Sequence, residues 1–241
     1  MENTGIKQKS TIEEIRKRFD EDVERFSNID TGQQTIIDAP LSLELITSAA
    51  FYVNPNAVNL LDIGCGAGNY TLKMLGKAPD LNCTLIDLSM PMLERARERV
   101  SVVTSGSVTI LQADILEVEL PENQYDIIFA AAVLHHLRND SDWETVFGKI
   151  YRSLKPGGSF WISDLIIHDH PALNQLFEER YAQHLDEIGG QEYRQKVLDY
   201  IEKEDTPRSV TYQLELMKRV GFQHTDILHK NANFAAFGGV K

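Results

Sequence analysis

Two groups of residues have the types and spacing to do chemistry. In the first, "LLDIGCGAGNY" (60–70) puts Asp62 at the end of an apolar run and glycines at 64, 66 and 68 directly after it. Backbone without Cβ atoms can turn sharply and let a ligand come close, and the helix that follows presents free N–H groups. Asp87, in "CTLIDLS", closes the next apolar run, where a carboxylate can accept both hydroxyl hydrogens of a ribose. The dinucleotide fingerprint G-x-G-x-x-G needs glycine at 69, where this chain has Asn69, so the spacing argues against a pyrophosphate. The second group is His135 and His136 after "AAAVL", with Asp164, His168, Asp169 and His170 in "SDLIIHDH". An imidazole removes protons near neutral pH, and a neighbouring carboxylate fixes its tautomer. His135, Asp164 and His168 are the candidate base and acceptor contacts, whereas His136 is expected to turn into the core. Three such ligands could also hold a divalent metal, but spacing alone does not set their geometry, and the metal stays undecided.

The elements that must position these groups are legible in the periodicity. Residues 11–27 place Ile12, Ile15, Phe19, Val23 and Phe26 on one helical face, and a turn-rich link through "NIDTGQQ" leads to a second helical pattern at 41–52. From Val58 the pattern changes to short apolar runs, "VNLLDI", "NCTLIDL", "VTILQAD", "YDIIFAAAVL" and "SFWISDLII", separated by helical stretches. Strands that are continuously apolar are buried on both faces, which predicts a doubly wound α/β fold around a mostly parallel sheet. Ligands of such sheets bind outside the carboxyl ends of the strands, where both groups lie. A long helical stretch (172–202), the turn "EDTPRS" and the helix "VTYQLELMKRV" follow, and two closing runs, "HTDILHK" and "NFAAFGGVK", are close enough to form an antiparallel hairpin.

Length and composition narrow the function. At about 100–200 residues per domain, 241 residues fit one decorated domain. The net charge of −12 repels phosphate backbones and anionic lipid, so no direct binding to long nucleic acid and no membrane association is expected. "ERARERV" (94–100) is read as a solvated, salt-bridged helix face. The N-terminus lacks the apolar core of a targeting segment, and Cys65 and Cys83 are read as free thiols, so a cytoplasmic location is expected.

"LLDIGCGAG" resembles the first motif of class I S-adenosylmethionine-dependent methyltransferases, an acidic residue followed by G-x-G-x-G, and the resemblance extends from about residue 58 to the C-terminus. Its companions come in family order: Asp87, Asp114 in "LQADIL", the fourth strand "YDIIFAAAVLHHL", and the "KPGG" turn into the fifth. The resemblance implies a Rossmann-like methyltransferase fold, a seven-stranded sheet with an antiparallel last strand, and S-adenosylmethionine as cofactor. It also implies the contacts. Asp62 would hold the methionine amino group, Gly64, Cys65, Gly66 and Gly68 the loop, and Asp87 with Leu88 the ribose. Asp114 would meet the adenine amino group, with Ile115 beside the ring and Met92 over it or in the core, while Ala131 would lie under the methionine part. Domains are expected at 1–57, a helical N-terminal lid, and 58–241, the methyltransferase domain with a helical substrate-side insertion after strand five at about 165–205.

The sulfonium of such a cofactor is an activated methyl donor, so the protein mainly aligns a nucleophile and excludes water, and a base is needed only if the acceptor must lose a proton. The leading expectation is in-line methyl transfer to a small-molecule acceptor. "FDEDVERF", "KIYRSLKPGGSF" and "TPRSVTYQLELMKRVGFQHTDILHK" are also similar to carboxy-S-adenosylmethionine synthase, an enzyme of tRNA modification, but Leu216 stands where that family's carboxylate-binding arginine aligns and Ala131 where an asparagine faces the cofactor. Arg219 is the one nearby substitute. A tRNA-modifying enzyme and a non-catalytic cofactor-binding module are the alternatives, and a homodimer is left open.

Overall fold

The computed structural model describes residues 9–28 and 32–241. The middle of the "NIDTGQQ" link and most of the N-terminal stretch read for a targeting segment lie outside the described residues. The first amphipathic helix is two: α1 (Ile12–Glu21) begins with a capping box between Thr11 and Glu14, and α2 (Val23–Ser27) follows a break at Asp22. Within α1, Ile15 is buried while Ile12, at the first position of the helix, is nearly half exposed, at 48%. Next comes α3 (Ala39–Val53), which takes Pro40 in its first turn, where a missing N–H costs nothing.

Seven strands form one sheet: β1 (Asn59–Ile63), β2 (Asn82–Asp87), β3 (Val108–Gln112), β4 (Tyr125–Ala131), β5 (Leu154–Leu165), β6 (His224–Asn231) and β7 (Phe234–Val240). Their order is β3-β2-β1-β4-β5-β7-β6, parallel except for β7, which runs antiparallel to both neighbours. The doubly wound reading and the reversed final strand are both observed. On one face pack α3, α4 (Asn69–Leu75) and α5 (Met90–Ser101), burying Leu43, Ile46, Met74 and Leu93. On the other pack α6 (Asp140–Ser153) and α8 (Val210–Val220), burying Trp143, Phe147, Ile150 and Met217. Among the described residues no helix is long and apolar enough to cross a membrane.

The strand order reverses between β1 and β4, and a crevice opens there at the carboxyl ends. Two additions roof it. One is the α1–α2 pair. The other is α7 (Pro171–Glu204), which is bent at Gly190, whose φ of 75° and ψ of −176° few residues but glycine adopt, and packs Tyr181 and Leu185 against Leu165 and Phe234.

Candidate active site

A cavity of about 670 Å³ fills this crevice, within the range of ordinary ligand sites. Its first half is the glycine loop between β1 and α4. At Gly64 (φ +64°) an added Cβ would stand 2.5 Å from the Val133 side chain, so the loop and the β4 end are packed together at that point. At Gly66 (φ +49°) the same atom would meet nothing within 4 Å, because the residue borders the cavity. Gly68 caps α4 from the left-handed region and is packed against α5. Arg99 of α5 holds the loop, donating to the Ala67 carbonyl at 2.6 Å and to Asn69 Oδ1 at 2.9 Å, and Asn69 in turn donates to the Phe26 carbonyl of α2 at 3.0 Å. Arg95 pairs with Glu24 of α2. The salt bridges expected of the "ERARERV" face are present, and through Arg95 and Arg99 they and their hydrogen bonds reach beyond the helix to the loop and the roof.

Asp62, Asp87 and Asp114 all line the cavity, with Cys65, Leu88, Met92, Ile115 and Ala131. Asp62 is fully buried and accepts from Thr71 Oγ1 at 2.7 Å; burial outweighs that bond and pushes its carboxyl up to about 7. Asp87 accepts from the Gly66 N–H at 2.8 Å and the Ser89 N–H at 2.9 Å, one bond per oxygen, which leaves a lone pair on each for a ligand. Burial raises this carboxyl as well. Asp114 accepts from the Leu116 N–H at 2.8 Å. The turn after it is fixed by Lys149 of α6, whose buried ammonium donates to the carbonyls of Ile115, Leu116 and Val118 at 3.0, 2.8 and 2.8 Å. Cys65 is a buried free cysteine whose thiol burial holds well above the usual range, so it is a packing group at neutral pH.

The second half of the cavity is built on the single 3₁₀ turn Leu134–His136 that ends β4. Asp164 of β5 accepts from the N–H groups of Leu134, His135 and Leu165 at 2.9, 3.2 and 2.8 Å, and its Oδ1 also meets His135 Nδ1. The His135 ring is thus fixed with Nε2 turned away from Asp164, at 3.7 Å from Asp205 Oδ1. Burial opposes charge on this imidazole, but the Asp164 and Asp205 carboxylates prevail and lift it to about 9. His136 lines the cavity too, with Nδ1 3.2 Å from Asp205 Oδ1 and its ring edge-on to Phe19 of α1; burial lowers its basicity. The expectation that His136 faces the core is corrected: the tight 3₁₀ turn presents both rings to the crevice.

His168 does not join them. Beyond the end of β5, its ring stacks on Phe177 at 4.2 Å, its Nε2 lies 3.2 Å from the Ala232 carbonyl, and it is outside the cavity lining. Asp205, which sequence reasoning passed over, takes its place. It ends α7 in the "EDTPRS" turn, and Thr206 docks that turn onto the histidines by donating to the His135 and Leu137 carbonyls, both at 2.7 Å. No periodicity marks such a contact. Ile15, Phe19, Tyr181 and Phe234 close this half from above. Leu216 is buried in the sheet core and Arg219 lies on the surface near Glu144, so neither brings a charge into the cavity.

Residues 60–158 match a family described as methyltransferase domain. Among curated proteins, carboxy-S-adenosyl-L-methionine synthase of Shewanella woodyi is 27% identical over 79% of this chain and 78% of its own length. Demethylmenaquinone methyltransferase of Listeria monocytogenes is 26% identical over 76% of this chain and 78% of its own. Human N-acetylserotonin methyltransferase, solved in complex with SAM, superimposes with a TM-score of 0.61 at 18% identity, over 94% of this chain; the chain spans just 56% of that longer protein. This last likeness is one of fold.

Proposed function

We propose that the chain is a class I S-adenosylmethionine-dependent methyltransferase, as its methyltransferase-domain match and its relatives support, and that it transfers a methyl group in line to a small apolar or aromatic molecule bearing a hydroxyl, amine or thiol. When bound, the cofactor supplies an activated methyl on a sulfonium. The residues present fit it. Gly66 leaves open space beside its backbone, Asp87 keeps a lone pair on each oxygen for the ribose hydroxyls, and Asp62 is a buried carboxyl whose ionised form an ammonium would stabilise. Lys149 holds the turn that presents Asp114 and Ile115 to the adenine end.

The observation that carries the reading is the division of one cavity: glycine loop and carboxylates at one end, the His135–Asp164 pair at the other, beneath a roof. Enclosure by Phe19, Tyr181 and Phe234 favours a small acceptor over a polymer, as does the net charge of −12. The name of the Listeria relative specifies a demethylmenaquinone acceptor, also a small molecule. The α1–α2 pair acts as the lid, and α7 as the wall that selects the acceptor. His135, oriented by Asp164, faces the acceptor half of the cavity.

The test is to supply S-adenosylmethionine with a panel of hydroxylated, aminated and thiol-bearing aromatics and to follow S-adenosylhomocysteine by mass spectrometry. Product is expected from at least one class, and His135→Ala should lower turnover about 100-fold or more with S-adenosylhomocysteine affinity unchanged. Tight cofactor binding with no product from any class would favour a non-catalytic module instead.

A further inference from the structure

The acceptor half of the cavity brings three possible ligand atoms together: His135 Nε2, His136 Nδ1 and Asp205 Oδ1, all within 4.8 Å of one another. His136 Nδ1 and Asp205 Oδ1 are buried and, although 3.2 Å apart, are out of line for a hydrogen bond, so each is left without one. Buried polar atoms are costly unless a partner satisfies them. The neighbouring cations do not. Lys9 donates to the backbone carbonyls of Glu202 and Asp205, both at 2.6 Å, and Arg138 to those of Ser10, at 3.0 Å, and Glu204.

From this geometry we infer that His135, His136 and Asp205 bind a divalent transition-metal ion of the zinc type, with a fourth position open to the acceptor's heteroatom. Ligands about 2.0–2.1 Å from a tetrahedral ion stand roughly 3.4 Å apart. The two distances to Asp205 Oδ1, 3.2 Å from His136 and 3.7 Å from His135, fall on either side of that value. Two imidazoles with one carboxylate suit zinc, cobalt or nickel better than magnesium or calcium, which prefer oxygen. The arrangement behind the ligands fits as well. Asp164 receives the other ring nitrogen of His135 while three backbone N–H groups hold it still, the carboxylate–histidine pairing that orients a metal-binding imidazole and aims Nε2 at the ion. The charges of Asp164 and Asp205 together balance a dication.

The role of the ion rests on the methyl-transfer reading. An acceptor hydroxyl that occupies the fourth position loses its proton to solvent as it coordinates, because the ion makes it more acidic. Its oxygen then forms the bond to the methyl carbon as the carbon–sulfur bond breaks, the electron pair staying on sulfur. One proton is released for each methyl transferred.

The experiment is a cobalt(II) and zinc(II) titration of the chelator-treated full chain at neutral pH, read by metal stoichiometry and by cobalt ligand-field absorption, with S-adenosylhomocysteine calorimetry on the same samples. One ion per chain is expected, with intense tetrahedral bands. Asp164→Asn should weaken cobalt binding about 10–100-fold, and His136→Ala and Asp205→Asn should weaken it further. A wild-type chain that takes up no stoichiometric ion overturns the site, as does uptake left unchanged by both ligand substitutions. Cofactor binding separates the two ideas: failure of metal uptake with S-adenosylhomocysteine still bound sinks only the ion, whereas metal uptake without cofactor binding sinks the methyl-transfer reading. It also exposes any variant that fails to fold, and the wild-type stoichiometry decides the question in that case.

Discussion

Asp62 and Asp87 have the same side chain and line the same cavity, yet their surroundings differ. Asp87 has two backbone donors and stays an acceptor for hydroxyl groups. Charged hydrogen bonds contribute about 1.5–3 kcal/mol each before compensation, so Asp87→Ala should weaken S-adenosylhomocysteine binding by roughly 2–3 kcal/mol, measured by calorimetry. Asp62 is buried with Thr71 as its hydrogen-bond partner, and burial lifts its carboxyl to about 7. A carboxyl raised in the folded state binds a proton that the unfolded chain has released, so between about pH 4 and pH 7 stability falls as pH rises. The thermal midpoint of the cofactor-free wild type should therefore decline over that window relative to Asp62→Asn. The ammonium of the cofactor reverses the preference. Affinity should rise from about pH 6 to pH 8 with release of a proton, seen as a buffer-dependent heat of binding that Asp62→Asn abolishes.

At the level of elements, the loop between β1 and α4 separates stability from affinity. Gly64 and Gly66 both adopt positive φ, but only Gly64 faces packed atoms, those of Val133. Gly64→Ala should cost about 2–4 kcal/mol of stability, strain and overpacking together, and lower the thermal midpoint. Gly66→Ala carries only the strain, about 1 kcal/mol in folding, but its methyl occupies ligand space; its main effect should be on cofactor affinity, seen in the same titration. If both variants lost stability equally, the open side of Gly66 would not be the ligand's side. The loop is braced from outside by Arg99, and the turn after Asp114 by Lys149, each charge satisfied mainly by carbonyls. Both are helix residues acting on a neighbouring loop, a reach that helical periodicity does not encode.

For the whole molecule, closure of the cavity depends on contacts between distant parts of the chain. Arg18 of α1 meets Glu204 at the end of α7 at 2.7 Å and donates to the Tyr200 hydroxyl at 3.0 Å, while Ser10 donates to the same carboxylate at 2.7 Å. Removing one member of a buried pair costs about 3–5 kcal/mol, and the 29% exposure of the Arg18 side chain places it below that range. Arg18→Ala should cost about 2 kcal/mol, appearing as faster amide hydrogen exchange across Ile12–Glu21 and a shorter cofactor residence time while the sheet strands stay protected.

The sheet and its helices were legible in the sequence because their signals are local. Buried parallel strands are unbroken apolar runs, as in "NLLDI" and "YDIIFAA", and the glycine spacing sets a backbone path within a few residues. The same holds for Asp62, Asp87 and Asp114, whose positions at strand ends follow from the strands themselves. What the sequence left open is whatever depends on contacts between segments far apart in the chain. The break at Asp22, the exclusion of His168 by its stacking on Phe177, the turning of His136 into the cavity and the arrival of Asp205 beside it are such cases. His135 and Asp205 are brought together by a roof helix and one docked turn, and neither residue carries a trace of the other in its neighbourhood. Local pattern determined the fold and the cofactor end of the cavity; packing of the roof on the sheet decided the acceptor end, because side-chain orientation there is fixed by long-range contacts.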